Sequence, residues 1–265
     1  MKIGLIQNNI LWENKQFNLN ASKNYFKEAR ENNIDLLLFP ELSFTGFSMN
    51  VQKLADTNSE TITYMSSLCR TYKINAGIGY IDGYHSTPKG KNKYAIISDS
   101  GDILCSYTKI HPFSYSKEDN FYEGGDTLSY CTINSITICP LICYDLRFPE
   151  LFQIASKKSH LITVAANWPE SRKDHWITLL KSRAIENQCY VAGINRVGLG
   201  NKLVYSGNSM IINPLGEIIA STKDGEEGII TGVIDPETVT QARSSFPVKK
   251  DRKEELYYKL LKNNK

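Results

Sequence analysis

The feature that most restricts the fold is a recurrence of short, nearly solid runs of Ile, Leu and Val along the chain. They occupy residues 2–7, 35–39, 75–81, 93–98 and 103–107, and further on 135–139, 161–165, 189–195, 205–212, 218–221 and 228–234. A strand with one wet face alternates apolar with polar residues, whereas a strand that is apolar at nearly every position has both faces covered. The covering layers are visible between the runs. Phe17, Ala21, Tyr25 and Ala29 recur at helical spacing, as do Trp176, Leu180 and Ala184,. Residues 213–216, reading NPLG between two runs, predict a hairpin turn,. Hairpins and βα connections in one chain indicate layered α and β elements rather than a simple doubly wound sheet. No repeat, linker or compositional break interrupts residues 1–265, so a single domain is expected. Its last part, 246–265, is read as a C-terminal docking tail, because Leu256, Tyr257, Leu260 and Leu261 share one helical face.

Composition removes several classes of function. A formal net charge of +3, with basic residues scattered and the densest stretch (249–253) broken by Asp251, gives no footprint for nucleic acid,. The six cysteines form no CxxC pair and lie near no histidine cluster, so neither a disulfide scaffold nor a zinc site is expected,. No apolar stretch is long enough to span a bilayer, and the first residues lack the pattern of a signal peptide,. These features predict a soluble, reduced, cytoplasmic protein that binds neither nucleic acid nor membrane and can keep a reactive thiol.

Three of the apolar runs end in a chemically active residue. The run at 35–39 meets Pro40 and then Glu41, which should emerge at the strand's carboxyl edge, where open α/β sheets place their sites,. The run at 103–107 leads to Lys109 and then into a long loop, 112–125, rich in aromatic and charged residues,. The run beginning near residue 135 leads to Cys143, with Pro149 marking a helix start shortly after. A thiol at such a turn has backbone N–H groups available to hold an oxyanion. Taken singly, Glu41 reads more often as a solvated turn residue, Lys109 as an ordinary exposed lysine and Cys143 as an inert buried thiol. The other five cysteines sit inside apolar elements without charged neighbours, where the inert reading fits better,. Together the three supply the base, the oxyanion stabiliser and the nucleophile of amide cleavage.

The contexts FPELSFTGF around Glu41, YTKIHPF around Lys109 and CYDLRFPELF at Cys143 resemble those of the nitrilase superfamily of carbon–nitrogen hydrolases, whose triad is Glu–Lys–Cys. The resemblance runs from the opening strand to the Phe246–Tyr257 region, and it is greatest to the bacterial ω-amidase-like branch. NWP at Asn167, HW at His175, NRVG at Asn195 and YSGNS at Tyr205 carry that similarity. Pro112 and Phe113 stand where many relatives have a Leu–Phe pair. The resemblance implies a four-layer-forming α-β-β-α sandwich of the α/β class, assembled as a homodimer or higher homo-oligomer; residues 150–156 and 176–188 are the candidate interface, although a buried monomer face explains their apolar stripes equally well. It also implies a second active-site glutamate, at Glu118, that holds Lys109 or the incoming group.

The implied reaction is attack by Cys143 on a small linear amide, with Glu41 as base, no metal and no organic cofactor. Lys109 and the N–H of Tyr144 would stabilise the oxyanion, a donor of this kind being worth roughly 3–4 kcal/mol. Tyr144, Arg147, Trp168 and Phe47 are the expected substrate contacts. Arg147 is read as meeting an anionic substrate group, the alternative being an ion pair with Asp145 or Glu150; Trp168 is equally a core aromatic. His111 and Asp145 are expected to be structural. A monoamide such as 2-oxoglutaramate is the leading substrate, ahead of nitriles, N-carbamoyl compounds and other amides. A catalytically silent scaffold would need none of Glu41, Lys109, Glu118 and Cys143.

Overall fold

The computed structural model describes residues 1–83 and 88–263. Its first half supplies β1 (Lys2–Gln7), α1 (Lys15–Glu31), β2 (Leu36–Leu38), α2 (Val51–Leu54), α3 (Glu60–Tyr72), β3 (Asn75–Asp82), β4 (Lys91–Ile97) and β5 (Ile103–Thr108). The second half adds β6 (Cys131–Ile133), β7 (Ile136–Ile142), α4 (Pro149–Ala155), β8 (Leu161–Ala166), α5 (Lys173–Asn187) and β9 (Tyr190–Asn195). Then come β10 (Val197–Gly200), β11 (Leu203–Ser206), β12 (Met210–Ile212), β13 (Ile218–Ser221), β14 (Gly228–Val233), α6 (Pro236–Ser245) and α7 (Glu254–Asn263).

Two six-stranded mixed sheets result, ordered β14-β1-β2-β3-β4-β5 and β13-β12-β9-β8-β7-β6, with β10 and β11 as a separate ribbon. The solid apolar runs are explained by what lies on each face. Leu36, Leu38, Tyr94 and Ile96 face the second sheet, while their neighbours Leu37, Ala95 and Ile97 pack under α1 and α3. On the far side, Trp176, Leu180 and Ala184 of α5 and Phe152 of α4 cover the second sheet. The order is α-β-β-α, an α/β sandwich.

Several sequence expectations shift in detail. The run at 205–212 is two strands: Gly207 and Asn208 both have positive φ, and the chain passes there from the ribbon into the second sheet. The buried stripe of α1 is Leu19, Ser22, Phe26 and Ala29, about one position from the predicted one, and Phe17 is 57% exposed. The run near 135 continues to Ile142, directly before Cys143. The turn at 213–216 joins β12 to β13 as predicted, with Gly216 at φ +84°. Helix α7 forms where the spacing predicts, but none of its residues is buried; Leu261 is 68% exposed. An open groove separates α7 from α4, and Lys157, just past α4, pairs with Glu254 at the start of α7.

Candidate active site

Strand direction brings the site together. β1, β2 and β3 run parallel, and two antiparallel steps through β4 return β5 to the same direction. In the second sheet β7, β8 and β9 are parallel. Glu41 follows β2, Lys109 follows β5 directly, Cys143 follows β7 directly and Asn167 follows β8 directly. The first sheet thus provides acid–base groups and the second provides the thiol.

At the centre Lys109 is 1% exposed, and Glu41 and Glu118 are fully buried. The Lys109 ammonium lies 3.0 Å from Glu41 Oε1 and 2.8 Å from Glu118 Oε2. Burial alone would pull the lysine pKa down, but the Glu118 and Glu41 carboxylates carry it well above its usual value, so it remains a cation,. Burial pushes the Glu118 carboxyl up; Lys109 opposes this and Glu41 reinforces it. Two buried carboxylates sharing one cation need further donors, and the fold supplies them. Asn92 Nδ2 donates to Glu41 Oε1 at 2.8 Å and to Glu118 Oε1 at 3.1 Å. The Phe113 N–H donates to Glu118 Oε2, and the Asn167 N–H to Glu41 Oε2 at 2.9 Å.

Cys143 starts a 3-10 turn (Cys143–Arg147) with φ +43°, a left-handed conformation unusual for a side chain other than Gly, Asn or Asp,. Asp145 holds the turn: its carboxylate accepts from the Ile142 N–H at 3.1 Å, the His111 N–H at 3.1 Å and the Tyr107 hydroxyl at 2.8 Å. His111 pairs with the same carboxylate and stacks on Phe148 at 3.6 Å. Both residues therefore brace the turn. Arg183 of α5 adds two donors to the Leu146 carbonyl, at 3.1 and 2.8 Å. Burial, followed by the Glu41 carboxylate, pushes the Cys143 thiol well above the usual thiol range. The resting thiol is therefore neutral, with Glu41 among its neighbours. Tyr144 lies in the first turn of the 3-10 segment, where an N–H has no intrahelical carbonyl to meet,.

Glu41, Lys109 and Cys143 line a cavity of about 140 Å³, room for a small linear molecule. Phe47, Tyr144, Arg147 and Trp168 are on its wall. The Lys109 ammonium sits 5.2 Å from the Phe47 ring centre. Arg147 stacks over Trp168 at 4.9 Å and approaches His175 at 3.3 Å. It makes no ion pair with Asp145 or Glu150 among the described residues. Trp168 is both core and wall, 4% exposed, with its Nε1 donating to the Arg172 carbonyl. Arg172, Tyr205 and Asn92 belong to the site or its support and were not singled out from sequence. Among the described residues, no group of His, Cys, Asp and Glu is arranged to hold a metal ion, and no helix is long and apolar enough to cross a membrane.

Comparison with known proteins gives the family. The model of the carbon-nitrogen hydrolase family matches residues 2–244. The chain is 34% identical to the 2-oxoglutaramate amidase of Bacillus subtilis over 88% of this chain and 90% of that protein. It is also 34% identical to the ω-amidase YafV of Yersinia enterocolitica, over 93% of this chain and 94% of the relative. Among solved structures, a CN-hydrolase superfamily protein of Xanthomonas campestris superposes with a TM-score of 0.87 at 28% identity, covering 95% of this chain and 97% of the other. With two sheets whose strand ends bring together a buried Glu and Lys and a half-buried Cys, this chain belongs to the carbon-nitrogen hydrolase family, enzymes that hydrolyse carbon–nitrogen bonds.

Proposed function

We propose that this enzyme hydrolyses the terminal amide of a small molecule that also carries a carboxylate, such as 2-oxoglutaramate, through a thioester on Cys143. The observation that carries this reading is a pair of guanidiniums, Arg147 and Arg172, on the wall of the cavity that holds Cys143. Neither forms an ion pair with a carboxylate among the described residues, so the cavity keeps positive charge available for an anion,. The two relatives named as 2-oxoglutaramate amidase and ω-amidase support the same substrate class.

The steps follow from the hydrogen bonds. As sulfur attacks the amide carbon, the thiol proton passes to Glu41 and the carbonyl oxygen becomes an oxyanion facing Lys109 and the Tyr144 N–H. The C–N bond then breaks and its electron pair stays on nitrogen. Glu41 returns the proton to that nitrogen, so ammonia leaves and a thioester remains. Water, deprotonated by Glu41, attacks the thioester; the carboxylic acid is released and the thiol restored. Glu118 acts on position, since both its oxygens engage Lys109.

The cytoplasm suits this chemistry, because all six cysteines are free,. A homodimer is the proposed assembly: Ile154 on α4 and Ile185 on α5 are more than half exposed, and a second copy would cover them,.

The test compares Arg147→Ala with the parent on 2-oxoglutaramate or succinamate and on neutral butyramide, with Cys143→Ala as the inactive reference. Losing a hydrogen bond to a charged group costs about 1.5–3 kcal/mol, so kcat/KM on the acids should fall roughly tenfold to over a hundredfold. Butyramide should be largely spared. Equal losses on both types would show that Arg147 acts only through Trp168 and the turn.

A further inference from the structure

We propose that Asn167 Oδ1 is the acceptor that recognises the N–H of the scissile amide, so that this side chain selects amides over substrates whose leaving group has no N–H. The proposal rests on the amide-hydrolase reading above and adds a residue to it.

The orientation of Asn167 is fixed by chemistry. Its Nδ2 lies 2.7 Å from the Glu41 carbonyl and 3.4 Å from Glu41 Oε2, both of which can only accept,. The nitrogen therefore faces Glu41, and Oδ1 is the atom left over. That oxygen is buried and has no hydrogen-bond partner, on a residue that is 5% exposed and lines the cavity holding Cys143. Among the described residues, Asn167 is the cavity-lining residue that carries a buried side-chain atom with no hydrogen-bond partner. Buried acceptors are nearly always satisfied, and leaving one empty costs about 1–3 kcal/mol. An oxygen kept empty beside the base that serves the leaving group is matched by a donor on that group.

A primary amide brings two N–H bonds. When one is given to Oδ1, the nitrogen is held with its developing lone pair toward Glu41, the group that must protonate it. A methyl ester has no such donor and would leave Oδ1 unsatisfied in the occupied site. A site that hydrogen-bonds a substrate N–H discriminates against analogues that lack it.

The experiment measures kcat/KM, which reports acylation, for butyramide and methyl butyrate. This neutral pair does not depend on Arg147, so a failure of the carboxylate specificity and a failure of this proposal are separate results. Asn167→Leu removes Oδ1 and Nδ2 together at similar volume. Both substrates should lose rate through disturbed Glu41, with the amide losing roughly tenfold more than the ester. Asn167→Asp keeps an acceptor and changes the donor; its amide-to-ester ratio should stay near that of the parent while both rates fall. Residual ester turnover shows that each variant is folded. Equal fold-losses on amide and ester in Asn167→Leu, or a ratio that collapses equally in Asn167→Asp, would overturn the proposal and leave Asn167 as a support for Glu41 alone.

Discussion

Two buried cations in this molecule have opposite surroundings. Lys109 lies against two carboxylates, which raise its pKa despite complete burial. Arg196, fully buried between β9 and β10, has no acidic partner among the described residues: it donates to the carbonyls of Val197, Ile10 and Leu199 and to Asn9 Oδ1, and stacks on Tyr205 at 4.7 Å. Burial lowers its pKa to about 10. The difference separates two uses of buried charge. Lys109 is held where negative charge is already present and where, in the proposed reaction, more would develop. Arg196 meets only neutral oxygens and ties the ribbon β10–β11 to the start of the chain. One arrangement suits chemistry, the other suits construction.

The largest expected effect comes from Lys109→Met, which leaves Glu41 and Glu118 sharing one Asn92 donor. Steady-state assays should show kcat reduced at least ~100-fold, the usual cost of losing an oxyanion donor. A variant with near-normal kcat would break the comparison, because Lys109 would then be as structural as Arg196. Next is Arg196→Met. It strands several buried carbonyls, and denaturant melts should show about 2–4 kcal/mol of lost stability, while kcat stays within a few-fold of the parent. A kcat loss as deep as that of Lys109→Met, at unchanged stability, would move Arg196 into the chemistry.

Lys249 gives a third, weaker case, a cation set among cations. Burial lowers its pKa to about 8, with Arg243, Arg252 and Lys157 contributing, and its amine meets Ser156. The folded pKa lies below the unfolded value of 10.5, so the unfolded form binds more protons between about pH 8 and 10.5 and stability rises with pH there,. Attachment of the tail should tighten by about 1 kcal/mol over that window, read as slower proteolysis of residues 246–263. The trend should vanish in Lys249→Met; an unchanged trend would assign it to another group.

How much of this was legible depended on whether a residue marked the end of something. Glu41, Lys109 and Cys143 stood at the ends of apolar runs, and that interruption was visible without a structure. Asn92 lies inside β4, on the face it shares with Tyr94 and Ile96, so it reaches the carboxylates only because that face looks at the second sheet. Nothing local distinguishes it from Lys91 or Lys93. Arg172 and Tyr205 enter the cavity from segments far apart in the chain, a relation that spacing does not encode. The helical stripe of α1 was misplaced by about one position because Phe17 is apolar yet lies on the wet side, and Ser22 is polar yet buried. The split between β11 and β12 needed two positive φ angles that composition only hints at.

The division of the site between two sheets also bears on how the protein is made. Glu41, Lys109 and Glu118 emerge from a ribosome well before Cys143, and the thiol meets its proposed base, Glu41, only when its own sheet has closed onto theirs. On the proposed mechanism the nascent chain would carry a cysteine with no base beside it, and amide hydrolysis would begin only with the final docking of the halves. Any condition that lets the sheets slide apart, even with every helix and strand intact, would switch the nucleophile off first. Activity should therefore fail before the fold melts, and it should return as soon as the seam closes.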